Sequence, residues 1–456
     1  MNISSQIHPT PLPARERQGG GAADLIIIGA GPGGYKAAIH AAKHGLKVVI
    51  FEDNNVGGTC LNVGCIPTKT YVHSASFAEA TERQQQVVAQ LRSGVETLLS
   101  HQGITLVRER ARFVDAHTVE ASSGEAWRGD NIIVATGSSA KMLPIPGADS
   151  PRVVDSTGLL ALRELPKRLC IIGAGVIGME FASVFRKFGS EVTVIEYLKE
   201  CLPMLDGDIA KRLRKLMEKR GITFYMGAGV KGLTHNLSPG KGETVLFEQK
   251  GKELSVEADV VLMATGRKPN TNGLNLEAAG IETDGRGNIP VDEHFRVSPL
   301  RGDSEGSVYA IGDVNGRQML AHAAEMQGIH VVNHILGIGD DIRFGVMPAA
   351  IFTEPEAALV GSGEDQLKEQ GIPHECHKSF YRANGKALAM NETEGMVKLC
   401  CEPGEGRLLS AHIFGAHAAD LVQEVTAYIT LGATLRQLRD TVHIHPTLSE
   451  VLIEVG

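Results

Sequence analysis

The chain has 456 residues, enough for about three domains at roughly 150 residues each, and its 43% apolar and 21% charged content is ordinary for a globular protein. A net charge of −8 without basic runs excludes a nucleic-acid or anionic-membrane surface, and no stretch of about 18 apolar residues is present to span a bilayer. Seven cysteines, an odd number in a long chain, exclude a disulfide scaffold; they lead us to expect a cytoplasmic protein in which any disulfide is catalytic rather than structural.

Residues 1–23, rich in Ser, Pro, Gly and Gln and lacking the apolar core of a signal peptide, read as a flexible tail. Asp24–Ile28 is an apolar run of the kind that forms a buried parallel strand. The glycine turn Gly29, Gly31, Gly34 follows, then a helix over Tyr35–His44 stopped by Gly45, and a second strand, Lys47–Phe51, ending in Glu52. This strand–turn–helix–strand unit is a dinucleotide-binding pattern: the glycines let the backbone approach a pyrophosphate at a helix N-terminus, and the acid accepts hydrogen bonds from a ribose. The unit recurs with Leu169–Ile172, the glycines Gly173, Gly175 and Gly178, a helix over Met179–Phe188, and a strand over Glu191–Ile195 ending in Glu196, the acid at the same distance from the first glycine. One such turn is weak evidence; two in matching context are strong. A carboxylate at Glu196 repels a 2′-phosphate, so NAD is expected over NADP. Each copy is followed by an apolar strand ending in Ala-Thr-Gly, at Asn131–Gly137 with Thr136 and Gly137, and at Ala258–Gly266.

Between the copies, Gly57 to Lys69 carries Cys60 and Cys65 on a glycine-rich loop that enters a helix. Five residues apart, the sulfurs can meet if the first turn is distorted. No further ligands lie nearby to complete a metal site, and a cysteine at a helix N-terminus is activated by the dipole, so a redox disulfide is expected and no metal. After Gly266 the strand Ser307–Ile311 runs into Gly312-Asp313, and a helix spans Gln318–Leu336. From about Met347 the texture is α+β, with strands over Met396–Cys400 and Leu408–Phe414 and helices over Asp420–Gly432 and Thr434–Leu438. Cys400-Cys401 could bind a soft metal, but inside a strand adjacent side chains face opposite ways, so we read the pair as structural and Cys170, Cys201 and Cys376 as ordinary packed or surface residues. His443 and His445 are, from local pattern alone, either half a metal site or a general base oriented by Glu450. The divisions expected are a tail (1–23), a first nucleotide domain (24–148), a second (149–266), a central segment completing the first (267–346) and an interface domain (347–456).

Taken together, the cysteine loop Gly57–Lys69, both glycine turns, Gly312-Asp313 and the His445…Glu450 ending resemble the flavoprotein pyridine nucleotide-disulfide reductases, and among them the dihydrolipoamide dehydrogenases, the E3 components of 2-oxoacid dehydrogenase complexes. The resemblance implies an α/β fold of two Rossmann-like domains, for FAD and NAD, with a C-terminal α+β dimerisation domain. It implies FAD held by Gly29, Gly31, Gly34, Glu52, Thr59, Lys69, Thr136, Gly137 and Asp313, and NAD held by Gly173, Gly175, Gly178, Glu196 and Gly266. Cys65 would be the charge-transfer thiol, Cys60 the interchange thiol, and Lys69 would pair with Glu180 beside the flavin. His445, held by Glu450, would be the catalytic base and would serve the other subunit of a homodimer. The implied reaction is oxidation of dihydrolipoamide with reduction of NAD⁺. The implied partners are lipoyl domains and the subunit-binding domain of an E2 acyltransferase, or a lipoylated H-protein. Sister activities fit less well. Glutathione reductases carry basic residues where Glu196 stands and a tyrosine where Val176 stands; mercuric reductases end in a cysteine pair; soluble transhydrogenases lack the disulfide. A non-catalytic E2-docking paralogue would not need every chemical position intact. The chain also ends sooner after Glu450 than the family usually does.

Overall fold

A computed structural model of the chain describes residues 21–235, 242–298 and 308–456. The first apolar run forms the strand Gly21–Ile28, parallel both to Val48–Phe51 and to Ala126–Val134 at the centre of a seven-stranded sheet. Its side chains from Leu25 to Ile28 are almost fully buried, as a strand covered on both faces requires. The strand starts three residues before the expected Asp24, because Gly21, Ala22 and Ala23 continue the ladder against Trp127, Arg128 and Gly129; the rest of that tail lies outside the described residues. The helix Pro32–Lys43 packs over this sheet together with Ala321–Leu336. The strand Val308–Ala310 pairs parallel with Ile132–Val134, so chain that follows the second glycine turn completes the first sheet. Ser307, expected to open that strand, lies outside the described residues.

The second glycine turn joins the strand Arg168–Ile172 to the helix Val176–Phe188, which ends at Gly189 in the left-handed region, φ 107°. Glu191–Glu196 and Val260–Met263 flank that strand in a five-stranded parallel sheet. An antiparallel three-stranded sheet (Ala228–His235, Glu243–Gln249, Lys252–Ala258) is attached to this unit. The C-terminal part is a five-stranded antiparallel sheet whose central strands are Glu356–Val360, Leu408–Gly415 and Met396–Cys401, with Glu375–Phe380 at one edge. The helix Ala418–Thr430 packs against it. The last residues dock onto this sheet: Val451, Leu452 and Val455 are buried, and Gly456 exchanges two backbone hydrogen bonds of 3.1 Å with Lys378.

Cys376 and Cys400 face one another on the edge pair and are joined by a disulfide. This corrects the reading of Cys376 as an ordinary packed or surface residue and the expectation that any disulfide would be catalytic rather than structural: cross-strand register, which local sequence does not reveal, makes the two cysteines partners.

A buried charge cluster ties the second nucleotide unit to the C-terminal sheet. Lys398 Nζ lies 2.8 and 2.9 Å from the Asp206 carboxylate oxygens and 2.7 Å from Glu364, with Lys398 and Asp206 side chains each 2% exposed. Burial alone would push the Lys398 ammonium down, but the two carboxylates outweigh it and hold it above its usual range. Removing the lysine would strand a buried carboxylate, at a cost of about 3–5 kcal/mol. Lys398→Met is therefore expected to lower the thermal midpoint of unfolding by several degrees. Lys378→Met, which removes the half-exposed pair with Asp208 at 2.7 Å, should change it by no more than about 1 kcal/mol equivalent. Equal shifts in calorimetry would contradict this ranking.

Candidate active site

The cysteine segment is helical on both sides of a break. Gly57, at φ 91°, starts the short helix Gly58–Val63 carrying Cys60; Gly64 interrupts it, and Cys65 is the first residue of Cys65–Val72. A side chain at Gly64 would come within 2.9 Å of the Thr59 carbonyl, so a glycine is what lets the two turns fold against each other. The break brings the thiols into contact as free cysteines, and they are not equivalent. The hydrogen bond from the Cys60 thiol lowers Cys65, which the Lys69 cation also favours as thiolate; the same hydrogen bond, with burial, raises Cys60.

Lys69 lies one turn beyond Cys65. Its Nζ is 3.0 Å from both Glu180 oxygens and sits 4.5 Å from the centre of the Phe352 ring. Glu180 is buried on the second unit's helix and accepts the backbone N–H of Phe352 at 2.9 Å. Three segments far apart in sequence thus meet at one ion pair.

The two glycine turns have the same internal geometry. Glu52 accepts the N–H groups of Ala30 and Asn54 at 2.8 and 3.0 Å; Glu196 accepts those of Ala174 and Leu198 at 2.6 and 2.7 Å. Burial nevertheless raises the Glu52 carboxyl above its usual range, against those two N–H groups. Within each turn the glycines divide by reason. A side chain at Gly29 or Gly173 would strike a neighbouring carbonyl at 2.5 or 2.4 Å, and one at Gly34 or Gly178 would strike the first glycine's carbonyl at about 2 Å. Gly175 has nothing within 4 Å, and Gly31 only the Gly58 Cα at 4.0 Å. Packing inside the chain therefore accounts for the outer glycines but not the middle ones, whose bareness suits a ligand's approach from outside.

Both turns, both acids, Cys60, Cys65, Lys69 and Glu180 line one continuous cavity of about 1740 Å³. Thr59, Thr136, Gly137, Gly266 and Asp313 line it too. Thr136 spends its hydroxyl on the Asn270 carbonyl at 2.7 Å. Asp313 accepts from the Ser138 hydroxyl and lies 3.6 Å from Arg267 Nε. Ser138, Arg267 and Phe352 were not anticipated from sequence. They carry no motif, and only strand pairing and loop packing bring them to the site.

His445 and Glu450 are not on this cavity. They form a pair of their own, His445 Nδ1 to Glu450 Oε1 at 2.9 Å, and Glu450 also accepts the Thr447 N–H at 2.8 Å. That N–H, more than the imidazole, holds the Glu450 carboxyl below its usual range. The two histidines differ in their partners. His443 uses one nitrogen on the Thr441 carbonyl and the other on Glu424 at 2.7 Å, whereas His445 Nε2 has no partner among the described residues and its side chain is 79% exposed. Val442 and Ile444, close to it in sequence, are 96% and 80% exposed, and Leu431 at the end of the helix Ala418–Thr430 is 82% exposed. No helix among the described residues is long and apolar enough to cross a membrane.

Residues 23–328 match the pyridine nucleotide-disulphide oxidoreductase family, and residues 347–455 match the dimerisation domain of the same family. The mitochondrial dihydrolipoyl dehydrogenase of Pisum sativum is 38% identical over 95% of this chain and 90% of its own length, and the dihydrolipoyl dehydrogenase of Geobacillus stearothermophilus is 37% identical over 95% of each. Among solved structures, the HOCl-induced flavoprotein disulfide reductase RclA from Escherichia coli superposes with a TM-score of 0.86 at 32% identity, covering 95% of this chain and 99% of that one. With both domain matches in chain order and near-complete coverage at this identity, the chain belongs to the pyridine nucleotide-disulphide oxidoreductases.

Proposed function

We propose that the protein is a dihydrolipoamide dehydrogenase, oxidising protein-bound dihydrolipoamide and reducing NAD⁺. The observation that carries this reading is the inequivalent Cys60/Cys65 pair opening onto a cavity shared by two dinucleotide-binding turns. The substrate class rests on the curated relatives named above.

The first half of the cavity fits FAD: the bare Gly31, the tethered Glu52 and the Asp313 carboxylate line it. Gly29, Gly31, Gly34, Glu52, Thr59, Lys69, Thr136, Gly137 and Asp313 would hold it. Gly173, Gly175, Gly178, Glu196 and Gly266 would hold NAD. Once bound, FAD supplies the two-electron relay between dithiol and nicotinamide. The residues of the chain do the rest. In the oxidised enzyme Cys60 and Cys65 form a disulfide. His445 of a second subunit removes a proton from one substrate thiol, and the resulting thiolate attacks the Cys60 sulfur. The Cys60–Cys65 bond breaks and Cys65 leaves as a thiolate. The second substrate thiol displaces Cys60 and passes its proton to the departing Cys60 sulfur, closing the lipoamide ring and leaving two electrons on the cysteine pair, with the first proton on His445. Lys69 stabilises the Cys65 thiolate, and Glu180 holds Lys69 in place. Glu450 orients His445 so that Nε2 faces the incoming thiol.

A homodimer is supported by the dimerisation-domain match, by the exposed apolar residues Leu431, Val442 and Ile444, and by the absence of His445 from the residues lining its own subunit's cavity. The docking partners inferred are the lipoyl and subunit-binding domains of an E2 acyltransferase or a lipoylated H-protein, and the compartment inferred is the cytoplasm.

Purified protein assayed with dihydrolipoamide should prefer NAD⁺ to NADP⁺ by at least about tenfold in kcat/KM, or ~1.4 kcal/mol, because Glu196 faces the place of a 2′-phosphate. Equal use of both cofactors, or faster turnover of NADPH with oxidised glutathione, would replace this assignment. In a Cys60→Ser background, Lys69→Met should move the pH midpoint of Cys65 alkylation upward by about one unit or more, and Glu180→Gln should move it downward, since a cation favours and an anion disfavours the thiolate. Shifts of the same sign in both variants would contradict the proposed electrostatics. Cys60→Ser and His445→Ala homodimers should each be nearly inactive. Co-expressed, they should recover roughly a quarter of wild-type activity: half the dimers are mixed, and one of the two sites in each is intact. No recovery in verified mixed dimers would mean that both residues act within one subunit.

A further inference from the structure

Two groups of metal-type donors flank the edge strand Glu375–Phe380, one on each face. On one face, Glu364, His374 and Cys376 lie together. That group is closed: Cys376 is bonded to Cys400, and the Glu364 carboxylate is taken by Lys368 at 2.6 Å and Lys398 at 2.7 Å. On the opposite face, Glu375, His377 and Cys401 offer a carboxylate oxygen, an imidazole nitrogen and a thiol sulfur, all within 4.8 Å of one another. Strand register explains the meeting. Glu375 pairs with Cys401 across the ladder, His377 is two residues further along the same face, and the disulfide, one position over on the other face, fixes the two strands in this alignment.

The second group is open. Cys401 is a buried free thiol, and His377 Nε2 is shut off from solvent with no hydrogen-bond partner among the described residues, an arrangement that costs free energy unless something occupies the nitrogen. One Glu375 oxygen accepts the Gly404 N–H at 3.3 Å, which orients the carboxylate and leaves its other oxygen available, as outer hydrogen bonds do for metal ligands. The nearby Glu405 is already paired with Arg439 and Glu402 with Arg407, so neither guanidinium neutralises Glu375.

We propose that Glu375, His377 and Cys401 form a binding site for a borderline divalent cation of the zinc class, separate from the redox centre. One thiolate, one imidazole and one carboxylate suit such a cation and leave a fourth position for water. The cation replaces the thiol proton of Cys401, which is released to solvent. The site would clip the edge strand to Met396–Cys401. That edge strand also holds the C-terminal segment carrying His445 and Glu450, through the Lys378–Gly456 hydrogen bonds and the Ser379 hydroxyl on the Val451 carbonyl at 2.5 Å. The clip would therefore act on the rigidity of that segment rather than on the chemistry.

The test is a Co²⁺ titration of the FAD-loaded protein carrying Cys60→Ser and Cys65→Ser, which removes the other thiol pair able to bind metal, without added reductant so that Cys376–Cys400 stays closed. One Co²⁺ per chain should bind with a thiolate-to-cobalt charge-transfer absorption, and Zn²⁺ should abolish it by displacement. Adding Cys401→Ser should remove the absorption, and His377→Gln, a milder change, should weaken Co²⁺ binding at least tenfold while FAD content is retained. The proposal is overturned if no charge-transfer absorption develops, if it persists in Cys401→Ser, or if His377→Gln binds Co²⁺ as tightly as its parent.

Discussion

The Lys69–Glu180 ion pair is the point on which the site's geometry depends. Lys69 belongs to the helix that begins at Cys65, Glu180 to the helix of the second glycine turn, and Phe352, which donates its N–H to Glu180 and lays its ring under Lys69, to the C-terminal part. Glu180 is buried, so its charge is tolerable only with these partners. The cation that balances it is also the one that favours the Cys65 thiolate. One electrostatic requirement thus docks three segments and adds to the inequivalence that the Cys60–Cys65 hydrogen bond creates between the two thiols.

The duplicated glycine turn separates what folding needs from what a ligand needs. Its first and third glycines are demanded by close backbone contacts inside the chain, and its acid is pinned by two backbone N–H groups. These constraints would exist with nothing bound. The middle glycine meets none of them and opens onto the cavity. Since each turn sits at the C-terminal end of a parallel strand and the start of a helix, both present backbone N–H groups to the same cavity from two sides, which suits two dinucleotides converging on one centre.

At the other end of the molecule, the buried Lys398–Asp206 pair performs a similar docking task without chemistry. It anchors the loop that begins the helix Gly207–Lys219, with Asp206 capping that helix through the Asp208 N–H at 3.0 Å. Because the same strand, Met396–Cys401, carries Lys398, the disulfide cysteine Cys400 and the free Cys401, alternate positions along a few residues face different environments and take different roles.

Much of this was legible in the sequence because it is local. The glycine spacing, the acids Glu52 and Glu196, and the Cys60–Cys65 spacing are properties of short segments, and short-range backbone geometry dictates them; the helices and strands around both turns came out within a few residues of expectation. The pairing of Lys69 with Glu180 and the preference for His445 over His443 needed the family resemblance, since neither is a local pattern. Tertiary structure alone decided the rest. It committed both nitrogens of His443 and only Nδ1 of His445, it brought Ser138, Arg267 and Phe352 to the cavity, and it joined Cys376 to Cys400 across a ladder whose register no local signal specifies. Local spacing determines which groups a segment can offer; only the packing of distant segments determines which of those groups remain unpaired and what they face.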